Sequence, residues 1–244
     1  YHFLDIFLVE NSSEQSSLES LRDEFSQLNI NILVPNNNLG YFGGFDYAVL
    51  SCNPREKYDY FLLANPDIKF TEDFFKTLLN LEVEKDIAII APNILNMPSG
   101  KNANPFLKKK PSKSKIYFLI KILSSPFFYY IYEKLSIIKN TFIREFNSVD
   151  SMYIYAPHGS LIIFCNEYFT SKGSTNYFNF LWGEEFFVAE ECIRIEKKIF
   201  FEKKLNVLHF EHSTTNQVDL LRRAEMQSKS LKKIFYKYFI QDNK

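Results

Sequence analysis

The hydrophobic positions of the chain fall into short runs separated by polar stretches. In the first hundred residues, four apolar runs have the length of strands, and three of the intervening stretches favour helices. The predicted strands cover residues 3–9, 31–34, 60–64 and 87–91, and the predicted helices cover residues 17–28, 45–51 and 72–81. Strands that alternate with helices predict an α/β fold, with a doubly wound, mostly parallel mixed sheet flanked by helices.

The third of these strands, residues 60–64, ends at a turn that carries an acidic side chain. Proline has no N–H to donate to a sheet, so the strand must stop at Asn65-Pro66. Asp67 then follows the carboxyl end of a buried strand, where α/β sheets bind their ligands. A carboxylate there can hold a divalent cation against a phosphate. A plain turn residue or helix cap is the alternative interpretation of Asp67.

Two loops of the first half have the composition of ligand-binding loops. The first strand runs into the polar segment Glu10-Asn11-Ser12-Ser13-Glu14, and residues 36–44 hold three of the seven glycines within five positions. A glycine-rich loop lets backbone approach a ligand closely, and an ordinary connecting loop is the alternative.

The second half begins with an interruption of the α/β pattern. Residues 99–132 carry seven lysines and no acidic residue, and they include two aromatic runs, which predicts an insertion. Beyond it, strands are predicted at residues 153–156, 159–164, 199–202 and 205–210, and helices at residues 184–198 and 218–239. Glu184 and Glu185 would lie in the first turn of the former helix, where acidic residues also simply complement the helix dipole.

Composition narrows the class of protein. The chain has 29 basic and 29 acidic residues, which argues against a protein that binds nucleic acid through a basic face. Three cysteines without CxxC spacing indicate neither a disulfide framework nor a zinc ribbon, and favour a reducing, cytoplasmic compartment. No signal peptide or membrane-spanning run is present. Because Tyr1 stands almost at the start of a strand, we expect a further segment upstream.

Four motifs, in this order, resemble those of bacterial family-two inverting glycosyltransferases of the rhamnosyltransferase-like group, which have the GT-A fold. Residues 9–13 (VENSS) resemble V-D-N-x-S, and residues 38–44 (NLGYFGG) resemble N-x-G-F-x-G-G. Residues 63–67 (LANPD) resemble L-N-P-D, the family's version of a metal-binding DxD. Residues 159–209 resemble G-A/S-x-x-x-I, F-L-Y-G-E-D/E and V-x-H in succession. The motifs cover most of the chain except the insertion and the final helix.

The resemblance implies a site for a nucleotide-sugar, such as a dTDP- or UDP-sugar, and for Mg²⁺ or Mn²⁺. It assigns donor binding to Glu10, Asn11, Asn38, Gly40, Gly43, Gly44, Asn65 and Asp67. Asp67 would hold the metal with His209 as a second ligand, and Glu185, supported by Glu184, would be the general base. His158 and His212 are interpreted as structural. The chain departs from the family at Glu10 and Glu185, which replace the usual aspartates, and the family's first strand and helix are not found in it.

The resemblance also implies a function and a domain organisation. The expected reaction transfers rhamnose or another hexose to a glycan or lipid-linked glycan in cell-surface polysaccharide synthesis. A sugar nucleotidyltransferase and a non-catalytic carbohydrate-binding protein are the alternatives. The predicted domains are a donor-binding half at residues 1–98, a helical insertion at 99–148, an acceptor half at 149–216 and a basic helix at 217–244.

The insertion predicts a further partner. Its lysines stand beside apolar runs that are too short and too interrupted to span a membrane. We therefore expect residues 108–132 to bind the anionic inner face of the cell membrane, whereas packing on the domain as a helical hairpin or burial in a dimer are the alternatives.

Overall fold

A computed structural model describes residues 4–11, 30–52, 57–97, 99–132, 134, 149–210 and 220–240 of the chain. The predicted helix at residues 17–28 and His212 lie outside these residues. The chain divides into two compact units. The first unit comprises Tyr1–Tyr58 with Ser174–Leu181, and the second comprises Asp59–Gly173 with Trp182–Lys244.

The described residues of the first unit form a pair of parallel strands and one helix. Strand β1 (Ile6–Val9) pairs with β2 (Ile30–Leu33), and helix α1 (Gly40–Ser51) packs against β1. Phe42 lies in the core of this unit, where its ring contacts that of Tyr177 edge to face at 5.6 Å. The later segment 174–181 therefore completes the packing around α1.

The glycine-rich residues are helical, so the prediction of a loop that reaches residue 44 is wrong. Helix α1 begins at Gly40, and three of its first five residues are glycines. A Cβ on Gly40, whose φ is +73°, would lie 2.1 Å from the carbonyl oxygen of Phe180. A Cβ on Gly44 would lie 3.1 Å from Asn11 Nδ2. These glycines therefore allow close packing within the first unit.

The second unit contains a seven-stranded mixed sheet. Its strand order is β3-β8-β5-β9-β4, with β6 paired to β5 and β7 paired to β9. The strands are β3 (Tyr60–Ala64), β4 (Ile68–Phe70), β5 (Ile87–Met97), β6 (Lys101–Asn102), β7 (Met152–Ile154), β8 (Leu161–Cys165) and β9 (Lys198–Phe210). Strands β3, β5 and β9 run in one direction, and β8 and β4 run in the other. The predicted α/β fold with a mixed sheet flanked by helices is confirmed.

Strands β5 and β9 form the centre of the sheet, and both are longer than their sequence predicts. The prediction that Pro92 ends β5 is wrong: the strand continues to Met97 because the register shifts at this proline. Opposite it, β9 skips from Glu202 to Asn206, so the two predicted strands there are one irregular strand. A proline is tolerated inside a sheet at such an irregularity, because its missing N–H is not needed for pairing.

Helices surround this sheet. They are α2 (Phe74–Leu79), α3 (Lys113–Leu123), α4 (Asn166–Thr170), α5 (Glu184–Arg194) and α6 (Leu220–Ile234), which continues as a π-helical segment (Phe235–Ile240). Residues 126–132 are also helical. Residues 113–123 and 126–132 of the predicted insertion are therefore helical, and helix α3 packs against α6 and the π-helical segment. Within the described ranges, every helix is too short or too polar to cross a membrane.

Candidate active site

Asp67 and His209 lie together at one edge of the sheet. Asp67 occupies the turn between β3 and β4, and Ile68 pairs with His209 across β4 and β9. This register brings His209 Nε2 to 3.2 Å from Asp67 Oδ1. Both side chains are largely buried, and the structure therefore places the two predicted metal ligands within reach of one ion.

Asn96 fixes the orientation of the His209 ring. It lies opposite His209 in the register of β5 and β9, and its Oδ1 is 3.0 Å from His209 Nδ1. An acceptor at this position favours the tautomer that carries its proton on Nδ1, which leaves a lone pair on Nε2 facing Asp67. The resemblance assigned no role to Asn96, since only the strand register reveals it.

The arrangement fits a divalent cation. Asp67 Oδ1 is buried and accepts no hydrogen bond from the described residues, because its contact with His209 lacks hydrogen-bond geometry. An acceptor oxygen and a ring nitrogen lone pair at 3.2 Å from each other would share a cation well. The described residues contain no cluster of three or more histidine, cysteine or acidic side chains suited to a metal.

Glu184 and Glu185 form a pair of carboxylates in the first turn of α5. They lie against Gly159, where a Cβ would stand 3.0 Å from Glu185 Oε1 and 3.2 Å from Glu184 Oε1. Gly183, in the left-handed conformation with a φ of 92°, turns the chain into this helix. The absence of side chains at Gly159 and Gly183 lets both carboxylates approach the backbone.

The two carboxyl groups differ in their protonation. Burial raises the pKa of Glu184 to about 8, with repulsion from Glu185 as a second cause. Burial also raises the pKa of Glu185, but hydrogen bonds from the backbone N–H groups of Glu185, Gly159 and Gly183 oppose this rise. Those donors stabilise the charged form of Glu185, so Glu185 ionises before Glu184, which still holds its proton near neutral pH.

The raised pKa of Glu184 predicts a pH dependence of stability. Its pKa is higher in the folded protein than the ordinary value of 4.5, so its contribution is full below about pH 4.5 and is lost as the pH rises through about 8. Glutamine resembles the protonated form. We expect Glu184→Gln to melt close to the wild type at pH 5 and several degrees higher at pH 9.

Thermal unfolding between pH 5 and pH 9 measures this difference. The matched control is Glu82→Gln, at an exposed position before β5, which should follow the wild type at every pH. A Tm difference between Glu184→Gln and the wild type that stays constant with pH would show that Glu184 is not protonated in the folded state.

Residues 158–160 connect the two pairs. The His158 ring lies 6.2 Å from the His209 ring, while the next residue, Gly159, contacts both glutamates. The backbone N–H of Asn65, a residue that is predicted to bind the donor, donates to the carbonyl of Ser160 at 2.8 Å. The metal pair and the carboxylate pair therefore flank one short segment of the second unit.

His158 is held as a neutral ring. Burial, with a smaller effect of His209, lowers its pKa to about 4, and the N–H of Ser160 lies 3.2 Å from its Nδ1. The side chain of Asn104 accepts from the backbone N–H of His158 at 2.8 Å and donates to the carbonyl of Pro92 at 2.9 Å. This bonding fits the structural role predicted for His158.

The remaining predicted donor-binding residues lie in the first unit. Asn11 Oδ1 accepts from the N–H of Leu39 at 3.1 Å, and Asn11 Nδ2 donates to the carbonyl of Gly40 at 3.1 Å. Asn38 caps the same turn through the N–H of Gly40 at 2.9 Å, and the N–H of Glu10 donates to the carbonyl of Leu33. The Asn11 and Asn38 side chains brace the start of α1, a structural role that the motifs alone do not reveal.

Comparison with known proteins places this geometry on a known fold. No protein-family model and no curated protein matches the sequence. Among solved structures, the chain is similar to the crystal structure of GalNAc-T7 with UDP, GalNAc and Mn²⁺, with a TM-score of 0.54 and 13% identity. The match covers 86% of this chain and 38% of that one. Since GalNAc-T7 is a glycosyltransferase of the GT-A type, the match shows that the present chain has the GT-A fold.

Proposed function

We propose that the protein is a metal-dependent, inverting glycosyltransferase of the family-two, rhamnosyltransferase-like kind. It would move rhamnose or another hexose from a dTDP- or UDP-sugar to a glycan or lipid-linked glycan, in the synthesis of cell-surface polysaccharide. One observation carries the proposal: the Asp67–His209 pair and the Glu184–Glu185 pair flank the same segment, residues 158–160, on a GT-A fold.

Asp67 and His209 would hold Mg²⁺ or Mn²⁺ at the donor diphosphate. When bound, the cation offsets the negative charge that develops on the diphosphate as it leaves. Asn96 contributes by keeping the Nε2 lone pair of His209 directed at the metal position.

Glu185 would act as the general base. The acceptor hydroxyl attacks the anomeric carbon, a new C–O bond forms, and the bond from that carbon to the diphosphate oxygen breaks with its electron pair. The hydroxyl proton passes to Glu185, whose charged form is stabilised by backbone N–H groups. Attack opposite the leaving group inverts the anomeric configuration. Glu184, which holds a proton, prevents a second charge from building up beside the base.

A donor screen tests the proposed function. The full chain is incubated with dTDP- and UDP-sugars, with and without Mn²⁺, and release of the nucleoside diphosphate is measured. We expect release from a restricted set of donors, faster with a glycan acceptor and abolished by a chelator. Pyrophosphate release from a nucleoside triphosphate and a sugar phosphate would instead identify a nucleotidyltransferase. Binding of a sugar with no turnover of any donor would identify a carbohydrate-binding protein.

A further inference from the structure

The insertion has one buried side and one exposed aromatic side. Ile116, Ile120 and Leu123 of α3 are buried, and Tyr129 in the next helical segment is only 2% exposed. The other side presents six aromatic residues within sixteen positions. We call these the aromatic surface: Tyr117, Phe118, Phe127, Phe128, Tyr130 and Tyr132. Because the second unit already covers the buried side, the exposure of the aromatic surface needs a separate explanation.

The aromatic surface is unusually apolar for a protein exterior. Phe118 is 66% exposed, Phe127 is 68% exposed and Phe128 is 57% exposed. The rings of Phe127 and Phe128 contact only edge to face at 5.6 Å, which leaves most of their area uncovered. Exposed apolar patches of this kind mark a surface that binds a membrane or another molecule.

The charge within residues 99–132, which hold the aromatic surface, is uniformly positive. Residues 99–132 contain no acidic side chain, and their exposed lysines stand on both sides of the first aromatic run. The ammonium of Lys121 lies 5.2 Å from the centre of the Tyr117 ring, and that of Lys134 lies 5.5 Å from the centre of the Tyr130 ring. Aromatic rings with lysines beside them complement an anionic lipid surface, where rings enter the interface and ammonium groups meet phosphates.

A second copy of the chain fits the aromatic surface less well than an anionic lipid bilayer does. In a symmetric dimer the same patch meets itself, so the lysines of each copy would face the lysines of the other. No carboxylate within residues 99–132 is present to compensate for this repulsion. The charge pattern therefore favours a lipid bilayer over self-association.

Lys110 differs from the other lysines of the insertion. Its ammonium lies 2.7 Å from Oε1 of the buried Glu190 and 4.9 Å from the centre of the Phe239 ring. Glu190 also accepts from the hydroxyl of Tyr155 at 2.5 Å. Lys110 thus fastens the insertion to α5, the helix whose first turn holds Glu184 and Glu185. Because its ammonium is already paired with Glu190, it must be left intact in any test of the surface charge.

We propose that the aromatic surface and the exposed lysines beside it dock the protein on an anionic lipid bilayer. Helix α3 would lie in the plane of the interface, because its eleven residues span only about 16 Å at 1.5 Å per residue. This docking does not depend on the proposed transfer reaction. It would, however, bring the carboxylate pair, through Lys110 and α5, to the compartment where a lipid-linked acceptor is found.

Sedimentation with vesicles tests the docking without measuring activity. The full chain is mixed with phosphatidylcholine vesicles that contain or lack phosphatidylserine, at low and at high salt. We expect binding to the anionic vesicles, weaker binding at high salt and little binding to neutral vesicles. The double variant Lys108→Glu/Lys109→Glu should bind at least about tenfold more weakly, since each lysine near the surface contributes roughly a fivefold gain. Phe118→Ser/Phe127→Ser should lose binding as well.

Matched controls distinguish lipid binding by the aromatic surface and its lysines from a general effect of changing a charge or removing an exposed apolar side chain. Lys76→Glu/Lys85→Glu makes the same charge change at exposed lysines near α2, and Leu79→Ser removes a side chain that is 54% exposed outside the insertion. Both controls should bind vesicles as the wild type does. The proposal is overturned if the wild type stays in the supernatant or if the Lys108/Lys109 variant binds unchanged. A dimer in solution that Phe118→Ser/Phe127→Ser dissociates, without vesicle binding by the wild type, would also overturn it in favour of self-association.

Discussion

Asp67→Asn is expected to abolish sugar transfer while leaving the fold intact. The amide has the same shape as the carboxylate but lacks the charge that holds a cation beside His209. Even changes to residues that only orient metal ligands cost roughly 10–100-fold in metal affinity, so loss of the ligand itself should cost at least that much. Calorimetric titration with Mn²⁺ and the rate of nucleoside diphosphate release measure the two effects.

The same strand offers a matched control for Asp67. Asp59 is exposed and precedes β3, whereas Asp67 follows it, so Asp59→Asn removes the same charge at the opposite end of the strand. Asp59→Asn should bind Mn²⁺ and transfer sugar as the wild type does. If Asp67→Asn transfers sugar at a rate near that of the wild type with metal present, the assignment of Asp67 is wrong.

Local chemistry explains which strand ends were predictable. Strand β3 ends at Ala64 as predicted, because the turn at Asn65-Pro66 is set by residues adjacent in sequence. Pro92 carries the same local signal, yet β5 continues beyond it, because β9 skips several residues at that point and so removes the need for pairing. The outcome at Pro92 depends on a strand more than a hundred residues away, which no local pattern encodes.

The glycine-rich segment is a second case in which the local sequence does not predict the contacts that form. Its composition indicated close approach of the backbone, and close approach is what the structure has. The groups that approach the backbone of Gly40 and Gly44, however, are Phe180 and Asn11 of the protein itself. A small residue is required equally by packing and by binding, and composition does not distinguish these two uses.

Within the candidate site, several contacts depend on how the strands pair, and strand pairing could not be predicted from the sequence. Asp67 and His209 were paired by the resemblance to a known family, and β4–β9 pairing brings them to 3.2 Å. Asn96 was missed because its role depends on β5–β9 pairing, which puts it opposite His209 although 113 positions separate them. Likewise, the first turn of α5 was predicted, but the contact of its glutamates with Gly159 follows only from the fold.

Glu185→Gln is expected to lower turnover by about 10²–10⁴-fold, the usual effect of removing a general base, while donor binding is retained. Glutamine keeps the shape of the side chain but cannot accept the proton of the acceptor hydroxyl. In the wild type, the N–H groups of Gly159 and Gly183 favour the charged form of Glu185, whereas Glu184 holds a proton near neutral pH. Glu184→Gln should therefore lower turnover much less than Glu185→Gln.

Rates with saturating donor and acceptor, together with donor affinity measured without acceptor, distinguish loss of the base from loss of binding. Glu167→Gln is the matched control, since Glu167 also occupies the first turn of a helix, α4. It should leave turnover and donor affinity unchanged. If Glu184→Gln proves far more damaging than Glu185→Gln, the roles of the two glutamates must be exchanged. If neither change reduces turnover, the proton is accepted elsewhere, and the carboxylate pair is not the base of the reaction.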